Sequence, residues 1–562
     1  MAPILSSSEA LVAVVVSALT THFIFKRTET HDPVHLCILL VIAPGALSML
    51  YAPHSSSTIN AISTVMGLFW ATLATSIVAY RLSPWHPLAK HPGPLLYKIS
   101  KFYAAFRAIN GRQHIYYQQL HERYGDIVRV GPNELSIRSV EAVNPMLGIN
   151  GLPKGQFWSG RLPEHETVKP LIALTDKKEH ARRRRPWTRA FSTPALKGYE
   201  EIVIKRCLQL VERLAAQTTQ TLDLGTWFSY FSYDVMTDLA FGGGSEMIKD
   251  GDTTGLWHLL EGGQRNAIFM SHVPWFGQLA LRLPGFATDL KAFRVYAKGR
   301  AMARKKNGSP HMDIFHHLID EDGVSPQPPS ISEVVSDGGL TIIAGSDTTS
   351  GALSNLFYYL MVNPVALKRL QAEIDEVTDG EVFDVAKQAH LPYLNAVLNE
   401  ALRLLPPVLS GSQRAPEKGS GGRMVGSFFL PEGTNAFLAT YSLQRDPRCF
   451  APLPDTFLPE RWLPEETRKA LEPTIFNSDD DFILNTNAFI PFSAGPTNCA
   501  GKNLAWMEMR MLVVLLIQRF DFALHPSYKP EQWEKEIGDF FVTVKGELPT
   551  LLKPRKGVKI VS

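Results

Sequence analysis

The chain has 562 residues, of which 45% are hydrophobic and 20% charged, and its formal net charge is +3. Such a composition supports a large core and argues against a disordered chain, while a charge this close to neutral leaves no electrostatic footprint for nucleic acid. The four cysteines, Cys37, Cys207, Cys449 and Cys499, lie far apart with no C-x-x-C spacing, which argues against a zinc cage or a disulfide framework and points to a reducing compartment.

Three apolar stretches open the chain, at residues 10–25, 34–51 and 61–80, each close to the roughly 20 residues with which a helix crosses a bilayer. Pro44-Gly45 interrupts the second. Lys26 and Arg27 follow the first stretch, the loop 53–60 carries no full charge, and Arg81, Lys90, Lys98 and Lys101 follow the third. Three spans put the two ends on opposite sides, and the basic flank after the third places the rest of the chain in the cytosol by the positive-inside rule. A cleaved signal peptide is the weaker reading, because Glu9 and no lysine or arginine precedes the first apolar run. Residues 1–81 are therefore read as a membrane anchor of three transmembrane helices. Residues 82–94 carry Pro84, Pro87, Pro92 and Pro94 and read as a stiff connector, since each ring fixes its own φ and biases the preceding residue away from helix.

From residue 95 to 562 the pattern is that of one mostly helical domain with small sheets. Long segments such as 198–217 and 363–377 carry the helical period. Strand candidates are short, at 126–130, 134–137, 426–430 and 435–439, each bounded by Gly, Pro or Asn. Arg182 to Arg185 form a basic run that suits a surface patch, although four successive residues span the circumference of a helix. Residues 331–362 read as a long helix whose middle is Ala344-Gly345-Ser-Asp347-Thr348-Thr349. A carboxylate beside two hydroxyls in an apolar helix needs partners. The small Ala344 and Gly345 would let a ligand approach the backbone, and a threonine bonding the carbonyl one turn back would allow the helix to open locally; a solvated polar patch is the plainer alternative. Residues 394–404 form a second helical pattern carrying Glu400 and Arg403, three apart and so on one face. Such pairs are usually surface salt bridges, but the flanking Val397, Leu398, Leu402 and Leu404 suggest burial, with Arg461 in Pro459-Glu-Arg-Trp462 available as a third member. Finally, Phe492-Ser-Ala-Gly495-Pro-Thr-Asn-Cys499-Ala-Gly501 runs into an amphipathic stretch at 503–520. A thiolate at that helix N-terminus is favoured by free N–H groups and the helix dipole, as a ligand or as a nucleophile.

In this order and spacing, the Ala344–Thr349 segment, the Glu400/Arg403 pair, the Pro459–Trp462 loop and the Cys499 loop resemble those of the cytochromes P450, haem-thiolate monooxygenases, over roughly residues 90–555. The multi-span start resembles membrane-bound fungal members. The resemblance implies the cytochrome P450 fold, mainly α with small β-sheets, and a haem b whose iron takes its thiolate from Cys499. Phe492, Gly495 and Gly501 would shape the ligand loop, and His180, Arg184 and Arg414 would bind the haem propionates. Asp347 and Thr348 would deliver protons toward dioxygen through water, with Thr349 structural. It also implies electrons from NADPH through a separate NADPH-cytochrome P450 reductase, which the basic run 182–185 could receive. The setting would be the endoplasmic reticulum membrane, with the catalytic domain in the cytosol. The substrate class would be a lipophilic terpenoid, steroid or other secondary metabolite, bound by the segments 145–169 and 242–284, which contain Phe157, Trp158, Phe269, Met270 and Trp275. The sequence departs from the family pattern at Thr497, where an arginine usually precedes the cysteine by two, so the propionate contacts shift to His180, Arg184 and Arg414. Two other functions stand beside the monooxygenase: an oxygen-independent isomerase or peroxide-rearranging enzyme, and a non-enzymatic haem-binding membrane protein.

Overall fold

In the computed structural model, which describes residues 4–28, 32–162, 168–218, 220–253, 255–283, 285–286, 288–309, 311–377, 384–477 and 481–555, the three apolar stretches are helices Ser7–Arg27, Pro33–His54 and Thr58–Leu82, each long and apolar enough to cross a membrane. The first opens on a capping box, Ser6 accepting from the Glu9 N–H while the Glu9 side chain takes the Ser6 N–H. Ala10, Val14 and Ala18 on the first helix and Ala61, Val65, Phe69 and Leu73 on the third recur every fourth residue and are buried. That spacing lines one face of each helix, and small residues let the backbones approach. Val12, Val16, Leu19, Ile59 and Trp70 remain exposed on the outer faces, as a lipid-facing surface requires. In the second helix a π-turn, Ile38–Ile42, directly precedes the turn that holds Pro44. A proline has no N–H to donate and displaces the carbonyl one turn back, so the wider turn carries the helix through Pro44-Gly45 instead of breaking it.

The connector is docked as well as stiff. Leu88 is fully buried, His86 Nε2 lies 3.1 Å from Asn133 Oδ1, and the Arg129 N–H donates to the Pro92 carbonyl at 2.7 Å. A Cβ at Gly93 would collide with the Arg129 carbonyl, so glycine is required for this approach. The strand reached in this way, Ile127–Gly131, pairs antiparallel with Glu134–Ile137, which pairs parallel with Asn435–Leu438 in the register Glu134↔Asn435 to Ile137↔Leu438. The single strand expected at 426–430 is instead part of a hairpin, Gly422–Val425 with Phe428–Pro431. Gly426 sits in its turn at φ +58°, a conformation that ends a strand and suits glycine.

The central helix Ile331–Val362 runs through the catalytic body, with residues 349–361 buried on every side. It packs against Leu224–Phe241, Pro392–Leu404 and Lys502–Arg519, the helix that follows Cys499. Glu400, Arg403 and Arg461 meet in the core with no exposed side-chain surface. Arg403 donates from Nε and Nη2 to Glu400 at 2.8 Å each, Arg461 Nε at 2.9 Å, Trp462 Nε1 at 2.9 Å and the Leu458 N–H at 3.0 Å. Burial alone would raise the Glu400 carboxyl, but Arg403 and Arg461 hold it down at about 2.

Candidate active site

A cavity of about 910 Å³ lies between the central helix and the Cys499 loop. The loop is tied back on itself, the Cys499 N–H donating to the Phe492 carbonyl at 3.0 Å. Gly495 has φ +67°, and a Cβ there would collide with the Leu147 carbonyl oxygen, so this glycine is required by both conformation and space. Gly501 differs from expectation: its φ is −85°, and a Cβ would make an ordinary 3.7 Å contact with Phe191. Cys499 is open to the chamber while protein surrounds it closely on its other sides. Burial raises its thiol, opposed by the Gly501 N–H and by the charges of Arg184 and Lys502. Phe492 lines the chamber and stands 6.1 Å from the Trp506 ring.

Around the same wall the chain gathers Lys154, His180, Arg184 and Arg414. Three of them donate to neutral oxygens: Lys154 Nζ to the Leu171 carbonyl at 3.1 Å, Arg184 to the Asn498 carbonyl and side chain at 2.7 and 3.1 Å, and Arg414 Nη2 to Thr497 Oγ1 at 2.8 Å. Among the described residues none of the four forms an ion pair, and Arg414 Nε is buried without a hydrogen-bond partner. Thr497 thus orients Arg414 where an arginine would have repelled it. Desolvation and the neighbouring Lys154, Arg184 and Arg414 charges drive His180 down to about 3, a field that carboxylates placed among these cations would oppose. Lys154 was not anticipated from the sequence, where it is a lone lysine between Pro153 and Gly155. Desolvation and the fields of Arg414 and Arg184 lower it to about 7. A cluster of buried donors with an orphaned guanidinium nitrogen, beside a cysteine open to the same space, fits a planar cofactor bearing carboxylates.

Across the chamber, Thr348 lines the wall and donates to the Ala344 carbonyl at 2.6 Å. This is the bond expected of a threonine to the carbonyl one turn back, but the helix stays α-helical there without the expected local opening. Asp347 is buried but does not line the chamber, whereas Thr349 does. Gly345 also has a packing reason to be small, since a Cβ would collide with Met236. Glu508, another residue without a clear sequence signal, lines the chamber with both carboxylate oxygens buried; desolvation pushes it up to about 8, opposed by hydrogen bonding with the Thr349 hydroxyl. Of the five side chains in these segments that suit a greasy ligand but could equally be core or membrane contacts, Trp158 lines the chamber, while Phe157, Phe269, Met270 and Trp275 pack elsewhere. Residues 163–167 and 254, inside the two segments, and Pro284 at the end of the second lie outside the described residues.

The basic run is largely turned inward. Arg182 pairs with Glu179 and Glu333, Arg183 with Asp337 at 2.7 Å, and Arg184 with Asn498. Arg185 alone of the four is exposed, so the expected patch is reduced to one arginine.

The family model "Cytochrome P450" matches residues 91–550. Similar proteins include the cytochrome P450 monooxygenase FCK2 of Fusarium pseudograminearum, 34% identical over 91% of each chain. Cytochrome P450 67 of Uromyces fabae is 30% identical over 94% of this chain and 96% of its own. Tryprostatin B 6-hydroxylase of Aspergillus fumigatus is 30% identical over 93% and 91%. With a match this long, and a cysteine loop and buried helix enclosing one chamber, the chain belongs to the cytochrome P450 family of haem-dependent monooxygenases.

Proposed function

We propose that this protein inserts one oxygen atom of O2 into a lipophilic secondary metabolite, using electrons passed from NADPH by a separate reductase, on the cytosolic side of the endoplasmic reticulum membrane. The observation that carries this reading is the pairing of walls in one chamber: Cys499 opens among donors that lack an anion, and Thr348 faces from the central helix. A haem b would be held by the Cys499 thiolate on its iron and by Lys154, His180, Arg184 and Arg414 on its propionates. When bound, the haem supplies the activation of O2, with cysteine ligation favouring O–O cleavage. The Gly501 N–H, Arg184 and Lys502 favour the thiolate form of Cys499, and Phe492 keeps water from it. Thr348 spends its hydroxyl proton on the Ala344 carbonyl, which leaves its lone pairs to accept from a water in the chamber and so to hold a proton donor in place. Asp347, behind that wall, would resupply the proton. The named relatives, one of them a hydroxylase, support hydroxylation as the reaction. An oxygen-independent rearrangement has no use for Thr348 in this position.

The reduced, CO-bound protein should show the strongly red-shifted Soret band of thiolate ligation, and Cys499→Ser should lose it. A folded, haem-loaded wild type without that band overturns the reading. Thr348→Ala should divert NADPH-derived electrons to peroxide, lowering product per NADPH by roughly tenfold or more; unchanged coupling removes Thr348 from proton delivery.

A further inference from the structure

Arg161 closes the short 3₁₀ segment Gln156–Arg161. Its side chain is buried, at 6% exposure, yet it lines the chamber. Nε donates to Ser271 Oγ at 2.5 Å, Nη1 to Gln264 Oε1 at 3.2 Å and Nη2 to the Phe540 carbonyl at 3.0 Å. These acceptors are all neutral. A guanidinium has five N–H donors, so two remain, one on each terminal nitrogen. Among the described residues no carboxylate forms an ion pair with it; Asp539 acts only through its field. The rings of Phe157 and Trp158 lie 5.1 Å from the guanidinium carbon, which eases a buried charge without satisfying its donors.

Several deeply buried arginines here are neutralised, Arg206 by Asp238, Arg304 by Asp313 and Arg403 by Glu400; Arg129 is an exception among the described residues, giving its side-chain bonds to the Pro132 carbonyl, and unlike Arg161 it does not line the chamber. A buried charge without such a partner is costly. In the cation cradle the missing partner is supplied by the cofactor's carboxylates. Among the described residues, none of the side chains that Arg161 touches belongs to that cradle or to the Cys499 loop, and a ligand in the chamber that Arg161 lines would supply a partner for it.

We propose that Arg161 is a substrate-recognition residue that takes a carbonyl-type oxygen of the lipophilic substrate on its two remaining N–H groups, and thereby sets which carbon is presented to the Cys499 side. This rests on the monooxygenase reading above and narrows its substrate class to compounds with such an oxygen. A pocket built to hydrogen-bond a group discriminates strongly against the analogue that lacks it.

The test uses the full-length, haem-loaded protein, with its CO spectrum recorded first, so that a failure of the haem assignment is separated from a failure of this one. Substrate-induced Soret shifts are then titrated with matched pairs, fluorenone against fluorene and anthrone against dihydroanthracene, and with fluorene carboxylate to distinguish an anionic from a neutral oxygen. The carbonyl or carboxylate member should bind about tenfold tighter or more, as expected for a hydrogen bond to a charged donor. Arg161→Met should abolish that preference while affinity for the hydrocarbons stays within about twofold, and Arg161→Lys should restore part of it. Where Arg161→Met does not load haem, Arg161→Gln serves instead and should lose most of the preference. Equal affinities within every pair for the native protein, no response to any oxygen-bearing member, or a preference that survives in Arg161→Met or Arg161→Gln overturns the proposal.

Discussion

Two clusters of cations, one fully buried and one gathered on the chamber wall, sit in the same domain and are treated in opposite ways. Arg403 and Arg461 converge on Glu400, which accepts five hydrogen bonds and is held ionised. Lys154, Arg184 and Arg414 converge on a cavity and meet neutral oxygens. The first cluster has its carboxylate within the chain, although Arg461 Nη1 is left without a hydrogen-bond partner, and acts as scaffold, bracing Pro392–Leu404 against the Pro459–Trp462 loop. The second carries a charge imbalance that an anionic ligand would remove. A buried arginine is thus a poor guide to function until its partner is known.

The largest test of this contrast is Glu400→Ala, which strands two buried guanidinium groups and should cost about 3–5 kcal/mol, read from denaturant unfolding of the full-length protein in detergent. The same carboxylate sets an acid limit. Its folded pKa of about 2 lies below the ordinary 4.5, so the unfolded chain binds more protons between those values. The stabilisation is therefore present above pH 4.5 and lost as pH falls toward 2; Glu400→Gln should flatten that leg.

Arg414→Met should behave in the opposite sense. In haem-free protein it should leave stability within about 1 kcal/mol of wild type or raise it, because an uncompensated buried charge is removed, while haem retention should fall by roughly 10- to 100-fold. A destabilisation as large as that of Glu400→Ala would erase the distinction between the clusters. Lys154 provides a finer version. Its pKa is lowered from 10.5 to about 7, so across that interval the unfolded state binds the extra proton and haem-free stability should rise with pH. Lys154→Met should remove the rise, and haem should flatten it in the wild type. The smallest effect is that of Thr497→Val, which deletes the hydroxyl that accepts from Arg414 and should cost about 1 kcal/mol or less.

Legibility in the sequence followed the range of the interaction. The central helix 331–362 was bounded correctly because its period runs unbroken, and the strand at 134–137 because turn residues flank it. The sheet that joins Leu222–Asp223, Pro549–Pro554 and Phe520–Leu524 left no trace: Leu222–Asp223 is too short to show a period, and its partner strand lies about 330 residues later. At 426–430 the apolar pattern ran across a turn, and a glycine alone did not reveal it. The arginine run 182–185 showed its charge but not its direction, because Glu333 and Asp337, which turn it inward, come about 150 residues later.

By itself the sequence determined the anchor, the helical body and the four signatures, since each depends on residues close together in the chain: a run long enough for a bilayer, a pair three apart, a glycine before a cysteine. The tertiary structure decided what those residues face. It placed Thr348 on the chamber wall and Asp347 behind it, set Lys154 beside His180, Arg184 and Arg414, and left Arg161 among neutral acceptors. Burial, partner choice and protonation all depend on which distant segments pack together, and no local pattern encodes them.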